Sequence, residues 1–281
     1  NICYVDAFSF NNELPKKFAG VGLARKIGLD LALNISNEKT ILCNLDADTI
    51  ISEKYLDIIK KEYKLNNINT AVINFSHIPS KCNKINQSIQ LYEKNLKDTS
   101  KKLKFANSPY YYHSIGSTIT CTALAYASVG GMPRKIATED FYFLQSLAKY
   151  RSVEIIKEIL VFPSSRISER VYLGTGFRMQ QAKLGFDLNK LIFNENIFII
   201  LKNWLLIGKK SKNLKIETIL NEAEKIDINL PDFLKNEKIE KIWDGLQNSS
   251  PSKKHFELQF HRWFDALKTL RLLKYYSNYY P

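Results

Sequence analysis

Residues 41–49, ILCNLDADT, are the most informative part of the chain, because an apolar run ends there in two aspartates one residue apart. A run of this kind followed by turn-forming residues is typical of a buried strand. Asp46 and Asp48 then stand at the carboxyl end of the strand, where open α/β sheets bind their ligands. Alternate residues of a strand share a face, so both carboxylates can point into one site suited to Mg²⁺ or Mn²⁺ carrying a diphosphate. The same residues are equally typical of a turn, since Asp and Thr side chains bond to the local backbone.

The segments on either side predict an α/β architecture. Residues 1–5 and 41–45 read as strands, and residues 19–31 between them open on glycines and carry apolar side chains four residues apart, which predicts a helix. Strand, helix and strand in this order predict a parallel βαβ unit. Further strands are predicted at 70–75 and 153–162, and a strand entering a short helix at 116–129.

A change of character near residue 186 divides the chain. The segments that follow have apolar residues at helical spacing, which predicts an α-helical C-terminal region (186–281) attached to an α/β core (1–185). Residues 270–276, LRLLKYY, mix cations with apolar and aromatic side chains, as segments at a membrane surface do. A last helix packed on the core is the alternative. The apolar stretch 197–207 is interrupted by Lys and Asn and is too short to span a bilayer.

The composition describes a basic chain with a substantial core. Of 281 residues, 45% are hydrophobic, and the net charge is +13 with a pI of about 9.4. That charge suits nucleic acid, an anionic membrane surface or a phosphorylated substrate, but lysines spread along the chain also describe an ordinary solvated surface. None of the four cysteines is paired at metal-ligand spacing, and three of them, Cys3, Cys43 and Cys121 but not Cys82, fall in apolar segments where a free thiol behaves as a small buried hydrophobe. That pattern suits a reducing cytoplasm better than a secreted disulfide scaffold, and the segment 270–276 with the positive charge adds the expectation of peripheral contact at the inner face of the membrane.

Two acidic residues, Glu139 and Asp140, follow a Gly-Gly turn and stand in the first turn of a predicted helix. Acidic side chains are favoured at that position by the helix dipole and by capping, which is a purely structural explanation. The functional interpretation is a general base, a carboxylate that removes a proton from an attacking hydroxyl.

Two basic segments could contact phosphate. Arg166 and Arg170 stand beside the glycine-containing stretch 174–176. One guanidinium group can donate two hydrogen bonds to the oxygens of a phosphate, so these arginines could clamp a phosphate group. An ordinary basic surface loop is the alternative. Gly20-Val21-Gly22 precedes Arg25 at the start of a helix, where backbone N–H groups can cradle phosphate, but this segment is neither a dinucleotide fingerprint nor a P-loop.

Four motifs in this order resemble the family 2 glycosyltransferases with the GT-A fold. They are GVGLARKIG at 20–28, LDADT at 45–49, VGGMP at 129–133 and TEDF at 138–141, and the resemblance covers about residues 1–180. It implies a Rossmann-like, mostly parallel sheet flanked by helices. It also implies transfer of a sugar from a nucleotide-sugar to an acceptor hydroxyl with inversion, in polysaccharide or glycan assembly.

The resemblance also implies roles for individual residues. Asp46 and Asp48 match the motif that binds the metal and the diphosphate, with Asp48 the more direct ligand of Mn²⁺ or Mg²⁺. Asp140 matches the catalytic base, and Glu139 supports it or contacts the acceptor. The remaining donor-binding residues are Arg25, in the segment lining the nucleotide site, and Arg166 and Arg170, in a loop that closes over the donor.

The resemblance fails at the front of the chain. Members of the family begin with two strands that carry the nucleobase contacts, and neither is present, so we expect upstream residues to be missing. The implied partners are a nucleotide-sugar, most commonly a UDP-sugar, and a glycan or lipid-linked acceptor, with no nucleic acid.

Three other functions compete with this interpretation. A metal-dependent nucleotidyltransferase uses similar acidic pairs, usually with a Gly-rich basic loop after its first strand. A basic nucleic-acid-binding protein could stack bases on the tyrosines at 110–112, although no recognised binding motif is present. A glycosyltransferase-like scaffold without activity is the third.

Overall fold

The computed structural model describes residues 2–17, 19–168 and 174–280, and 54% of the chain is helical around a five-stranded mixed sheet. The chain divides into two compact units. The first comprises residues 1–94 and 112–189, and the second comprises residues 95–111 and 190–281. The predicted α/β class is therefore confirmed.

The sheet belongs to the first unit. Its strands are β1 (Ile41–Cys43), β2 (Ile50–Ile51), β3 (Thr70–Phe75), β4 (Ile119–Thr122) and β5 (Glu154–Phe162). They pair in the order β1-β4-β3-β5-β2. The central strand β3 is a nearly continuous apolar run, as expected for a strand covered on both faces. Its Val72 lies opposite Ile119 of β4 and Ile155 of β5.

The first unit also contains helices, the third of which continues into the second unit. They are α1 (Val21–Asn34), α2 (Tyr55–Asn66), α3 (Asn83–Phe105), α4 (Ala123–Ser128), α5 (Glu139–Tyr150) and α6 (Thr175–Lys183), with short 3₁₀ turns at Gly116–Thr118 and Leu188–Leu191. The predicted helix after Gly20, the strand at 70–75 and the strand entering a short helix within 116–129 are confirmed.

Two predictions about the sheet are wrong. Residues 2–5 form no strand, and Ile2 and Tyr4 are largely exposed, so the parallel βαβ unit is not formed. The sheet is also not mostly parallel, because β3 with β5 is the parallel pair while β1 with β4, β3 with β4 and β2 with β5 are antiparallel. An apolar run identifies a strand, but it fixes neither the partner nor the direction of that partner.

The second unit is helical. It contains the end of α3 together with α7 (Glu195–Lys209), α8 (Ile216–Ile226), α9 (Leu230–Asn236), α10 (Ile239–Asn248), α11 (Lys253–Trp263) and α12 (Ala266–Tyr276). Leu103 and Ala106 of α3 pack into its core, beside the aromatic contacts of Trp204 with Phe260 and Phe264. The sequence placed residues 95–111 in the α/β core. The structure places them here, because α3 carries apolar residues for two different cores.

Two segments of the second unit bear on membranes. Within the described residues, Leu188–Lys209 is long and apolar enough to cross a bilayer, but most of the apolar side chains of α7 are buried, as in a core helix. In the segment 270–276, Leu272, Leu273 and Tyr276 are fully buried in the helical core. The predicted membrane-surface segment therefore turns these apolar side chains inward, and the alternative of a helix packed on the core describes it better.

Candidate active site

Asp46 and Asp48 lie in a turn that follows β1. The strand ends at Cys43, and Asn44 is buried and donates its backbone N–H to the carbonyl of Ile119 at 3.0 Å. The backbone N–H of Thr49 then donates to the carbonyl of Asp46 at 3.0 Å, which closes a β-turn. The expectation that both aspartates share a strand face is wrong, and the turn interpretation describes the backbone.

Arg25 is the centre of the site. Its guanidinium donates through Nη2 to Oδ1 of Asp46 and through Nη1 to Oε1 of Glu139. The side chains of Arg25 and Glu139 are 12% and 6% exposed, whereas that of Asp46 is 42% exposed. Such a fork-shaped cation can hold two carboxylates at once. One arginine therefore joins the first helix, the acidic turn and the start of α5.

Two glycines make this arrangement possible. A Cβ atom at Gly116 would lie 2.2 to 2.4 Å from the guanidinium of Arg25, so the absence of a side chain leaves the space that the guanidinium fills. A Cβ at Gly22 would lie 2.3 Å from the carbonyl oxygen of Lys135, which lets α1 approach the segment leading into α5. Sequence reasoning missed Gly116, because nothing near residue 116 indicates a contact with residue 25.

The start of α5 holds two carboxyl groups, Glu139 and Asp140, whose pKa values are both raised. Burial raises the pKa of Glu139, and the neighbouring charge of Asp140 raises it further, while Arg25 opposes the shift. Burial also raises the pKa of Asp140, although the backbone N–H of Phe141 donates to its Oδ1 at 2.7 Å and stabilises the charged form. A carboxylate with a raised pKa accepts a proton more readily near neutral pH, which suits a general base.

The predicted donor loop makes one contact with the acidic turn. Nε of Arg166 lies 2.8 Å from Oδ2 of Asp48, and both side chains are partly exposed at 61% and 34%. Arg170 lies outside the described residues, so its predicted role stays a prediction. The structure thus forms one group of Arg25, Asp46 and Glu139 and a second group of Asp48 and Arg166.

The acidic turn has carboxylates that could bind a divalent cation, but both are already paired with arginines. Among the described residues, no group of three or more His, Cys, Asp and Glu side chains could hold a metal by itself. Mg²⁺ is commonly held by one or two carboxylates together with substrate phosphates and water. Asp46 and Asp48 supply such carboxylates, but each is paired with an arginine. The residues therefore fit a cation shared with a diphosphate, provided that these ion pairs open.

Tyr92 lies near the proposed base and Arg178 lies near Tyr92, and sequence reasoning missed both residues. Burial raises the pKa of Tyr92 to about 12, with Arg178 opposing the shift and Asp140 adding to it. Tyr92 is therefore close enough to both Arg178 and Asp140 for their charges to act on it. Tyr92 stands on α3 and Arg178 on α6, and neither residue belongs to a motif that indicates this proximity.

No protein-family model, curated protein or solved structure matches this chain. The likeness to family 2 glycosyltransferases therefore depends on the four motifs alone. Any assignment of function rests on those motifs and on the geometry of Arg25, the acidic turn and the start of α5.

Proposed function

We propose that this protein is an inverting glycosyltransferase of the GT-A type, which moves a sugar from a nucleotide-diphosphate-sugar to an acceptor hydroxyl in polysaccharide or glycan assembly. One observation carries the proposal. Arg25 joins Asp46 and Glu139, which lie 21 and 114 positions away in sequence, so three of the four motifs meet in one site. Unrelated motifs that match by chance have no reason to converge in this way.

The acidic turn is the proposed donor site. Asp46 and Asp48 would hold the divalent cation, which supplies Lewis-acid stabilisation of the diphosphate leaving group. Arg25 and Arg166 contact these carboxylates, so their guanidinium groups lie beside the proposed position of the cation and of the diphosphate it would carry. As the bond to the sugar breaks, these guanidinium groups donate hydrogen bonds to oxygens that gain negative charge.

The start of α5 is the proposed acceptor side. Asp140 removes the proton of the acceptor hydroxyl while that oxygen forms a bond to the anomeric carbon and the bond to the diphosphate oxygen breaks. Attack from the face opposite the leaving group inverts the anomeric carbon. The raised pKa of Asp140 supports this role, and Glu139 keeps Arg25 beside the donor.

The partners follow from the same proposal. A UDP-sugar is the proposed donor, a glycan or lipid-linked molecule is the proposed acceptor, and no nucleic acid is involved. A cytoplasmic location is proposed from the free cysteines. Peripheral membrane contact remains a proposal, but the burial of Leu272 and Leu273 removes the support that the segment 270–276 gave to it.

The proposal is tested by release of nucleoside diphosphate from a panel of nucleotide-sugars with Mn²⁺ and glycan acceptors. We expect the wild-type chain to turn over one of these donors and Asp140→Asn to lose at least about a hundredfold in rate, the usual contribution of a general base. The variant should still bind the donor. Asp140→Asn with full activity would contradict the assignment of the base, and loss of donor binding would move Asp140 to the donor site.

A further inference from the structure

The two carboxylates that share Arg25 differ greatly in exposure. The Glu139 side chain is 6% exposed, so its pair with Nη1 is nearly closed to water, whereas the Asp46 side chain is 42% exposed. Exposed ion pairs contribute little to stability. A divalent cation such as Mg²⁺ keeps several of its waters, so the hydrated ion reaches the half-exposed carboxylate of Asp46 more readily than the nearly closed carboxylate of Glu139. Of the two ion pairs that Arg25 makes, the pair with Asp46 is therefore the one in which a cation can replace the guanidinium.

We propose that Arg25 and a divalent cation are alternative partners of Asp46, and that Arg25 is an internal counter-ion that limits the affinity of the site for metal. When a cation binds the carboxylate of Asp46, the guanidinium of Arg25 keeps its contact with Glu139. The exchange therefore changes the partner of Nη2 without moving the arginine out of the site.

Gly116 leaves the space that the guanidinium occupies before and after this exchange. A Cβ at residue 116 would approach Nη1 and Nη2 to 2.2 and 2.3 Å, so any side chain there displaces the group that holds Asp46. Gly116 has no left-handed backbone conformation, so an alanine is compatible with its backbone. We therefore assign Gly116 as a positioning residue that acts through Arg25.

The consequence for the donor rests on the proposed function. Once the cation holds Asp46, Nη2 of Arg25 is released from its carboxylate and can donate to an oxygen of the diphosphate. Binding of the cation and binding of the nucleoside diphosphate then favour each other, because each removes a cost for the other. The competition at Asp46 does not require this step and can be measured with metal alone.

The test is titration of Mn²⁺ alone, followed by the electron spin resonance signal of free Mn²⁺. Gly116→Ala should bind Mn²⁺ about fivefold more tightly, the effect of removing one exposed ion pair. Gly28→Ala is the matched control, because Gly28 lies in the same helix as Arg25 and a Cβ there would meet nothing within 4 Å beyond the backbone of its own helix. Its affinity should equal that of the wild type.

For a second variant we expect the opposite change in Mn²⁺ affinity. Glu139→Gln leaves Asp46 as the carboxylate that Arg25 holds, so Mn²⁺ should bind more weakly than in the wild type. Asp140→Asn removes the same charge one residue away without removing a carboxylate that Arg25 holds, and it measures the general effect of lost negative charge. We expect the loss in Glu139→Gln to exceed the loss in Asp140→Asn by about threefold or more.

The outcomes separate the proposals. Tighter binding in Gly116→Ala with weaker binding in Glu139→Gln supports the exchange, even if UDP fails to bind and the proposed function is abandoned. Unchanged affinity in Gly116→Ala, no Mn²⁺ binding in any variant, or equal losses in Glu139→Gln and Asp140→Asn would overturn it. If circular dichroism shows that Gly116→Ala does not fold, the comparison of the two acidic variants decides alone.

Discussion

Replacing Arg25 with Met should destabilise the first unit by about 3 kcal/mol at pH 7, because it leaves the buried carboxylate of Glu139 without its counter-ion. Removing one partner of a buried ion pair costs about 3–5 kcal/mol. The half-exposed Asp46 adds about 1 kcal/mol at most. Protonation of Glu139, whose pKa is already raised by burial, relieves part of the cost and places the total near the lower end.

The loss of stability in Arg25→Met should grow as pH rises from 5 to 7. Arg25 opposes the rise of the Glu139 pKa, so its removal raises that pKa further. A carboxyl group whose pKa is higher in the folded than in the unfolded state favours folding at low pH, and this contribution is lost as pH rises through the folded pKa. The deficit of Arg25→Met is therefore largest at pH 7 and shrinks toward pH 5.

The assay must report on the first unit. All three tryptophans, Trp204, Trp243 and Trp263, lie in the second unit, so tryptophan fluorescence does not report unfolding of the first unit. Hydrogen exchange of peptides covering β3 and β4, measured by mass spectrometry, gives the opening free energy of the sheet. Lys26→Met is the control, because its pair with Asp30 is partly exposed and its loss should cost about 0.5 kcal/mol. A deficit below about 1 kcal/mol, or one that does not change with pH, would show that Arg25 is not the counter-ion that keeps Glu139 charged.

Three further outcomes follow from the structure. Asp48→Ala should weaken metal-dependent binding of a nucleoside diphosphate at least about tenfold, and calorimetry that finds unchanged metal dependence would return this motif to a purely structural turn. Arg166→Ala should change the free energy of unfolding by less than about 1 kcal/mol, because its pair with Asp48 is exposed; a larger loss by hydrogen exchange would contradict this. Gly208→Ala should destabilise the second unit by about 1–3 kcal/mol in urea unfolding followed by tryptophan fluorescence, since its Cβ would lie 2.0 Å from Phe260; wild-type stability would show that the core yields freely.

The local part of the fold was readable from the sequence. The glycine-opened helix α1, the apolar strand β3 and the helical period beyond residue 186 depend on residues close in sequence, and the structure has them where the patterns indicated. The acidic turn and the acidic start of α5 were identified for the same reason, because each is a contiguous motif.

The parts that failed depend on contacts between distant residues. The direction of β1 against β4 depends on a partner almost 80 residues away. Leu103 and Ala106 belong to the helical core, although the amphipathic pattern of α3 is the same along its length. The space that Gly116 leaves for Arg25 could not be predicted either, since a single glycine is more often a turn residue.

The most direct test of the account is calorimetric titration of the protein with UDP, first with Mn²⁺ and then with EDTA. We expect UDP to bind with Mn²⁺ and EDTA to abolish the binding, because the diphosphate would be held through a cation on Asp46 and Asp48. Binding of GDP, CDP or dTDP instead would change the base but keep the site. Failure of all four nucleotides with Mn²⁺ would contradict the glycosyltransferase proposal and favour a scaffold without activity.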